Sequence, residues 1–493
     1  MKTVQLFRQA GQRLLILGLI CLLSGLVPKV SFAQSAGPQR EQLLNGLRIL
    51  LLTRPGDPNV LLKLRINSGA AFDPAGKAGT MSLLGDILFP DAATHDYFKD
   101  EMGGRLEVET NYDAINITLQ GRSTDYDRIV DVMRAALITT PLTPENVVKV
   151  REAKIKALTA AKPTASEMAN RVVAGRLFGT FPYAIPEVGT VDSLARIDRA
   201  DLMLAREKFL SPDNATLVII GGVDQRRAMR ALRQLLGGWR KSDQLVPATF
   251  RQPTPPDPRT LIANAPGTQV AEVRLVTRGV ARADRDYSAV TLLSAIARDR
   301  WQKQLRDLKG PLFVKQEAHV LPGIFLMGAA VDSTAAAQTL GSARSVLKSL
   351  VTSPILPGEI EKAKTGVPPD GVLYDSDALA NAWLDIEAYA LPTITEQTRV
   401  WNSLTPADLQ KVAARLFADP ALATVVVGNA ADLKNQLAPT LKIEVLGEAK
   451  VNSSEPQTTT TTVEPAKKRT MPILTAPKNT NPLMKSTRPV TKP

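Results

Sequence analysis

The chain repeats itself. Residues 199–222, RADLMLAREKFLSPDNATLVIIGG, match residues 406–429, PADLQKVAARLFADPALATVVVGN. Asp201 falls opposite Asp408, Leu202 opposite Leu409 and Gly221 opposite Gly428, all at an offset of 207. Near the start of the unit, LRINSG (64–69) matches RLVTRG (274–279), and SLLGDIL (82–88) matches TLLSAIA (291–297). A solenoid repeats every 20 to 50 residues or so, far less than this spacing. The duplication therefore describes one large unit used twice, and the fold has to divide into two similar halves.

Within a half, strands and helices are mixed. LRILLLTRP and NVLLKLRINSG are runs of branched apolar residues and read as strands, as do RLEVET, AINITLQGR and ATLVIIGG. HDYFKDEMGG reads as a helix stopped by Gly103 and Gly104. Helices are expected near 125–138, 144–161, 165–178, 199–210 and 224–237. The stretch 241–260, KSDQLVPATFRQPTPPDPRT, is rich in proline and polar residues and reads as a linker. The expected organisation is a signal at 1–33, an α+β domain at 34–240, the linker, a second α+β domain at 261–448 and a tail at 449–493.

Charge narrows the function. The formal net charge is +13, of which residues 1–33 carry +4 and residues 449–493 carry +6, leaving about +3 on the rest. A folded nucleic-acid binder carries its basic footprint on the fold itself, so nucleic acid is excluded as the expected partner. The N-terminus has Lys2, Arg8 and Arg13 ahead of the apolar run LLILGLICLLSGLV (14–27), then Ser31 and Ala33 in VSFAQ. That is the pattern of a secretory signal cleaved after Ala33, with an uncleaved anchor as the alternative. Cys21 is the one cysteine of the chain, so a chain cleaved after Ala33 has no thiol for catalysis, disulfides or metal. The tail is a Pro, Thr and Lys mixture without apolar period and is expected to be solvated, with contact to an anionic membrane surface open to it. Export to the periplasm or cell envelope follows from the signal.

One helix is odd. In AGTMSLLGDILFPDA (78–92), Ser82, Gly85 and Asp86 share one face beside the apolar stripe Met81, Leu84, Ile87 and Leu88. A glycine inside a helix costs about 1 kcal/mol relative to alanine, so local stability does not account for it.

The duplicated halves, this helix and the series FPYAIPEVGTVDSLARIDRADLMLAREKFLSPDNATLVIIGGVD (181–224) resemble the insulinase and mitochondrial-processing-peptidase family. The resemblance covers about residues 40 to 435. It implies an α+β fold of two homologous halves, each an antiparallel-rich sheet with helices packed on it, closing like a clamshell around a peptide. Active members carry H-x-x-E-H on the helix in question, where two histidines bind zinc and the glutamate acts as general base. Here those three places are Ser82, Gly85 and Asp86. The family's third ligand is a glutamate on a later helix, for which Glu152 is the nearest candidate, with a solvated helix charge as the other reading. The two histidines of the chain, His95 and His319, lie in opposite halves, and His95 reads as a surface residue. A second family element pairs an arginine with a tyrosine seven residues on to hold substrate and stabilise an oxyanion. This chain has LRDLKGPLF, with Arg306 and Gly310 kept and Phe313 in the tyrosine's place. Arg306 and Phe313 are the expected substrate-binding positions, an ordinary ion pair being the other reading of Arg306.

No nucleophile elbow, phosphate loop or carboxylate pair offers another catalytic reading. The resemblance implies a catalytically inactive, exported, non-catalytic subunit that binds peptide. It binds no metal or cofactor of its own, and zinc is held by a family partner. A non-enzymatic envelope scaffold and, further off, a metallopeptidase with atypical ligands are the alternatives.

Overall fold

Uninterrupted apolar runs such as RILLLT and ATLVIIG suit strands that are covered on both faces, since alternate residues point to opposite sides and neither side can be polar. The computed structural model describes residues 37–446 apart from 162, 243–246, 248, 308, 367 and 368. The expected signal with Cys21 and the whole expected tail lie outside the described residues.

Two six-stranded sheets form. The first runs in the order β1 (Gln39–Gln42), β2 (Arg48–Thr53), β6 (Ala215–Gly221), β3 (Asn59–Ile66), β5 (Ile115–Arg122), β4 (Arg105–Thr110). The second runs β12 (Ile443–Val445), β7 (Thr260–Asn264), β11 (Ala423–Gly428), β8 (Val270–Arg278), β10 (Ile324–Asp332), β9 (Leu312–Glu317). The orders correspond strand for strand once the first edge is set aside. In each sheet one central pair is parallel, β2 with β6 and β7 with β11. The pairs β3–β5, β3–β6 and β4–β5 are antiparallel, as are their counterparts β8–β10, β8–β11 and β9–β10. The outer edges differ: β1 joins β2 antiparallel, whereas β12 joins β7 parallel. The fold is α+β in two homologous halves.

Each sheet has an outer core of its own. Ile49, Leu51, Leu62, Leu64, Ile117, Leu119, Leu217 and Ile219 pack against helices of the first half. Val273, Leu275, Met327 and Val426 do the same in the second. The inner faces are covered reciprocally. Helix Ala165–Phe178, from the first half, places Ala169, Val173, Leu177 and Phe178 on Leu261, Ala263, Val276, Leu326, Val425 and Val427 of the second sheet. Helix Ser376–Ala388, from the second half, places Leu379, Ala380, Trp383 and Leu384 on Leu50, Leu61, Val218 and Ile220 of the first sheet. Polar contacts follow the same exchange. Arg65 pairs with Asp385 at 2.7 Å and Lys63 with Asp377 at 2.8 Å. Across the other sheet, Arg274 reaches Asn170 at 2.8 Å and the Ser166 hydroxyl at 2.7 Å.

Candidate functional site

Asp73 starts the helix Thr80–Asp86. Its carboxylate accepts the backbone N–H of Gly79 at 2.6 Å and of Met81 at 2.8 Å, donors that the helix itself leaves without partners. Burial pushes this carboxyl up to about 7 against the pull of those two bonds. The helix is seven residues long, whereas its counterpart Tyr287–Gln304 in the second half has eighteen.

Ser82, Gly85 and Asp86 do share a face, and the surroundings of each are specific. Ser82 is buried. A Cβ on Gly85 meets Thr110 Oγ1 at 3.1 Å, Val108 Cγ1 at 3.2 Å and Ile115 Cγ2 at 3.3 Å. The helix thus lies so close to the side chains of β4 and β5 that any side chain at this place asks those neighbours to give way by a few tenths of an ångström. The glycine is matched to this close approach by strand side chains. Asp86 is bound by Lys154 Nζ at 2.6 Å, from helix Pro144–Ala160. An ammonium therefore stands on the one carboxylate of the face.

This donor set does not fit zinc. A divalent cation beside Asp86 meets the Lys154 charge at contact distance, and Ser82 and Gly85 offer neither imidazole nor carboxylate. Glu152 is exposed, one of several polar residues on the outer surface of its helix. His95 lies within helix Ala92–Asp100, exposed, with Nδ1 3.1 Å from the Leu106 carbonyl. Among the described residues no group of three or more His, Cys, Asp or Glu side chains is placed to hold a metal ion.

In LRDLKGPLF, Gly310 is required by its backbone. Its φ is +129°, and a Cβ there falls 2.0 Å from the Ala330 carbonyl oxygen. Phe313 lies opposite Gly328 in the β9–β10 register, its ring filling the space that glycine leaves. The Arg274 guanidinium sits over the same ring, 5.1 Å from its centre. Arg306 is exposed just past helix Tyr287–Gln304, and its Nε donates to the Lys303 carbonyl at 3.3 Å.

The sequence reading missed the most structured polar cluster. Asp113, in the β4–β5 turn, is buried between the halves. Its carboxylate accepts the Tyr389 hydroxyl at 2.8 Å, the Val320 N–H at 3.0 Å and the Tyr183 hydroxyl at 3.4 Å, and lies 3.6 Å from His319 Nδ1. Tyr112 and Tyr183 pack on the His319 ring at 5.2 and 4.7 Å. Beside this cluster opens a cleft of about 580 Å³, large enough for a few residues of peptide. Its walls are Phe178, Ile324 and Leu326, with Tyr112, Glu187, Lys315, Glu317 and His319 as polar groups, Lys315 and Glu317 coming from the edge strand β9. Burial raises the Glu187 carboxyl, which accepts the Tyr112 N–H at 3.1 Å. Only the FPYAIPEVG stretch, which supplies Tyr183 and Glu187, signalled this cluster. Asp113, His319 and Tyr389 come from segments that no local pattern connects.

The fold is a two-halved α+β architecture, and the Ser82, Gly85 and Asp86 face of helix Thr80–Asp86 offers no zinc-binding donor set. Residues 196–367 match the family described as Peptidase M16 inactive domain, and H-x-x-E-H occurs nowhere in the chain. An uncharacterised zinc protease of Mycobacterium leprae is 22% identical over 210 residues, 42% of this chain and 47% of that protein. The match thus spans about half the length of that relative. Among solved structures, a protease from Helicobacter pylori superposes with a TM-score of 0.72 at 18% identity, over 80% of this chain and 100% of the other. A peptidase M16 inactive domain from Pseudomonas fluorescens gives 0.70 at 18%, over 80% and 98%. The first half of the periplasmic protease PqqL from Escherichia coli gives 0.65 at 14%, over 81% and 93%. At these identities the likeness is one of fold. No helix among the described residues is long and apolar enough to cross a membrane.

Proposed function

We propose that this chain is an exported, non-catalytic member of its family, which binds peptide in the cleft between its halves and works beside a relative that holds the zinc. The observation that carries this reading is Lys154 on Asp86. The place of a metal is taken by a side-chain cation, and no base remains to activate water. The intact fold supports a retained binding role, since the cleft joins an apolar wall to the backbone edge of β9, to which an extended peptide can add as a further strand. Arg306 and Phe313 do not line this cleft, so in this reading Arg306 would meet a peptide carbonyl or carboxylate only outside it. The likeness to a periplasmic protease supports export, alongside the signal-like N-terminus.

The test is to isolate residues 34–493 from the native cells and to assay the chain alone. The expected result is no stoichiometric zinc, no peptide cleavage alone, and co-purification of a relative carrying H-x-x-E-H. Zinc near one per chain with chelator-sensitive cleavage overturns the reading. Recovery with envelope proteins of other families only makes the chain a scaffold.

A further inference from the structure

A second groove, about 990 Å³, lies in the first half between residues 137–142, helix Arg199–Phe209 and residues 238–242. Its charge is one-sided. Arg199, Arg206, Lys208, Arg240 and Lys241 line it against the single carboxylate of Glu207. The chain from 34 to 448 carries only about +3, so the groove concentrates positive charge on a nearly balanced fold. Two of the arginines are built in. Arg206 donates to the carbonyls of Thr140 at 2.6 Å, Leu137 at 3.2 Å and Ile138 at 3.3 Å, and Arg199 Nε donates to Leu142. Lys208 and Arg240 are exposed. Among these cations stand two exposed apolar side chains, Met203 at 44% and Leu204 at 62% of full exposure.

We propose that this face docks on a phospholipid bilayer, its cations on anionic headgroups and Met203 and Leu204 in the interfacial layer. An apolar pair ringed by Lys and Arg is what an anionic membrane surface selects, because each part satisfies a different depth of the interface. The chain's own ends are unsuited as occupants, since both termini are positive. A soluble phosphate compound neutralises the cations but leaves Met203 and Leu204 in water. The inference is independent of whether the chain assists a peptidase.

The experiment is vesicle sedimentation of residues 34–493 with vesicles of phosphatidylcholine alone and of equal parts phosphatidylcholine and phosphatidylglycerol. Three variants go with it: Lys208→Glu with Arg240→Glu, Met203→Ser with Leu204→Ser, and a chain ended at Leu446, where the first compact unit closes. Binding is expected only to the anionic vesicles. The charge variant should weaken it roughly tenfold or more, the serine variant should weaken it at all salt concentrations, and the shortened chain should keep the groove-dependent part. The substituted side chains are exposed, so unchanged thermal unfolding verifies that each variant is folded. The proposal is overturned if the full chain ignores anionic vesicles, if neither double variant alters binding, or if shortening removes all of it. It is also overturned if the groove variants abolish capture of an acidic soluble protein while vesicle binding is absent.

Discussion

Asp73 carries the clearest pH signature at the scale of single residues. Its carboxyl titrates at about 7 in the folded chain, against 3.8 for an ordinary solvated aspartate such as the unfolded chain presents. Between those values the folded state holds a proton that the unfolded state has released. The contribution to stability is therefore full below about pH 4 and is lost as pH rises through 7, with a slope of at most about 1.4 kcal/mol per pH unit. Asp73→Asn should flatten urea-unfolding stability across that window, whatever its effect on the absolute value. A variant as steep as the native chain counts against it. This carboxylate was not legible in the sequence, because DPAGKAG reads as a turn and nothing marks which donors the Asp meets. The Ser82, Gly85 and Asp86 face was legible, since helical spacing alone brings those three together. Lys154 was not. It lies 68 residues further on, and one lysine among several on the helix Pro144–Ala160 gives no sign that it points inward.

Among the secondary-structure elements, the strands could be read well because their chemistry is local. β2 and β6 are covered on both faces and advertise it as continuous apolar runs, β3 is apolar but for Lys63 and Arg65, and β4 alternates. The strand β1, with sequence QREQ, could not be read, since an exposed edge strand needs no apolar residue. β12 is three half-buried residues and was equally silent. The destination of helix Ala165–Phe178 was also hidden: an apolar face specifies burial but not the sheet that provides it. The structure answers with Arg274, fully buried in β8, which ties that helix to the second sheet. Its guanidinium bonds Glu272 at 3.0 Å and the Val273 carbonyl at 2.9 Å as well as Asn170 and Ser166. Desolvation lowers the arginine's pKa, and Glu272 offsets part of that cost. Arg274→Ala leaves the half-buried Glu272 without its cation and removes the support under Phe313. It should cost about 3–5 kcal/mol in chemical denaturation, as removal of one partner of a buried pair does. A loss within the range of a surface substitution, about 0.5 kcal/mol, removes Arg274 as the tie between helix and sheet.

For the whole molecule, duplication predicts two halves, and the exchange of helices decides how independent they are. Each sheet buries its inner face under a helix that belongs to the other half. The first half alone exposes Leu50, Leu61, Val218 and Ile220, and the second alone exposes Leu261, Val276, Leu326, Val425 and Val427. An apolar patch of that kind is rare on a soluble monomer and leads to dye binding or association. The turn carboxylate Asp113 adds to the tie, because its partners Tyr389 and Val320 come from the opposite half. Segments 34–242 and 243–448, produced separately, should bind a hydrophobic dye and self-associate. Produced together, they should co-purify in equal amounts and unfold in one transition without the covalent connection. The single-transition result is the discriminating one. If the segments fold alone as dye-silent monomers, the exchanged helices are ornaments on two independent domains, and the cleft between them is free to open. If they fold only together, the clamshell is held shut from inside by both halves. In the proposed peptide-binding role, entry to the cleft is then along the edge of β9 rather than through a wide separation of the halves.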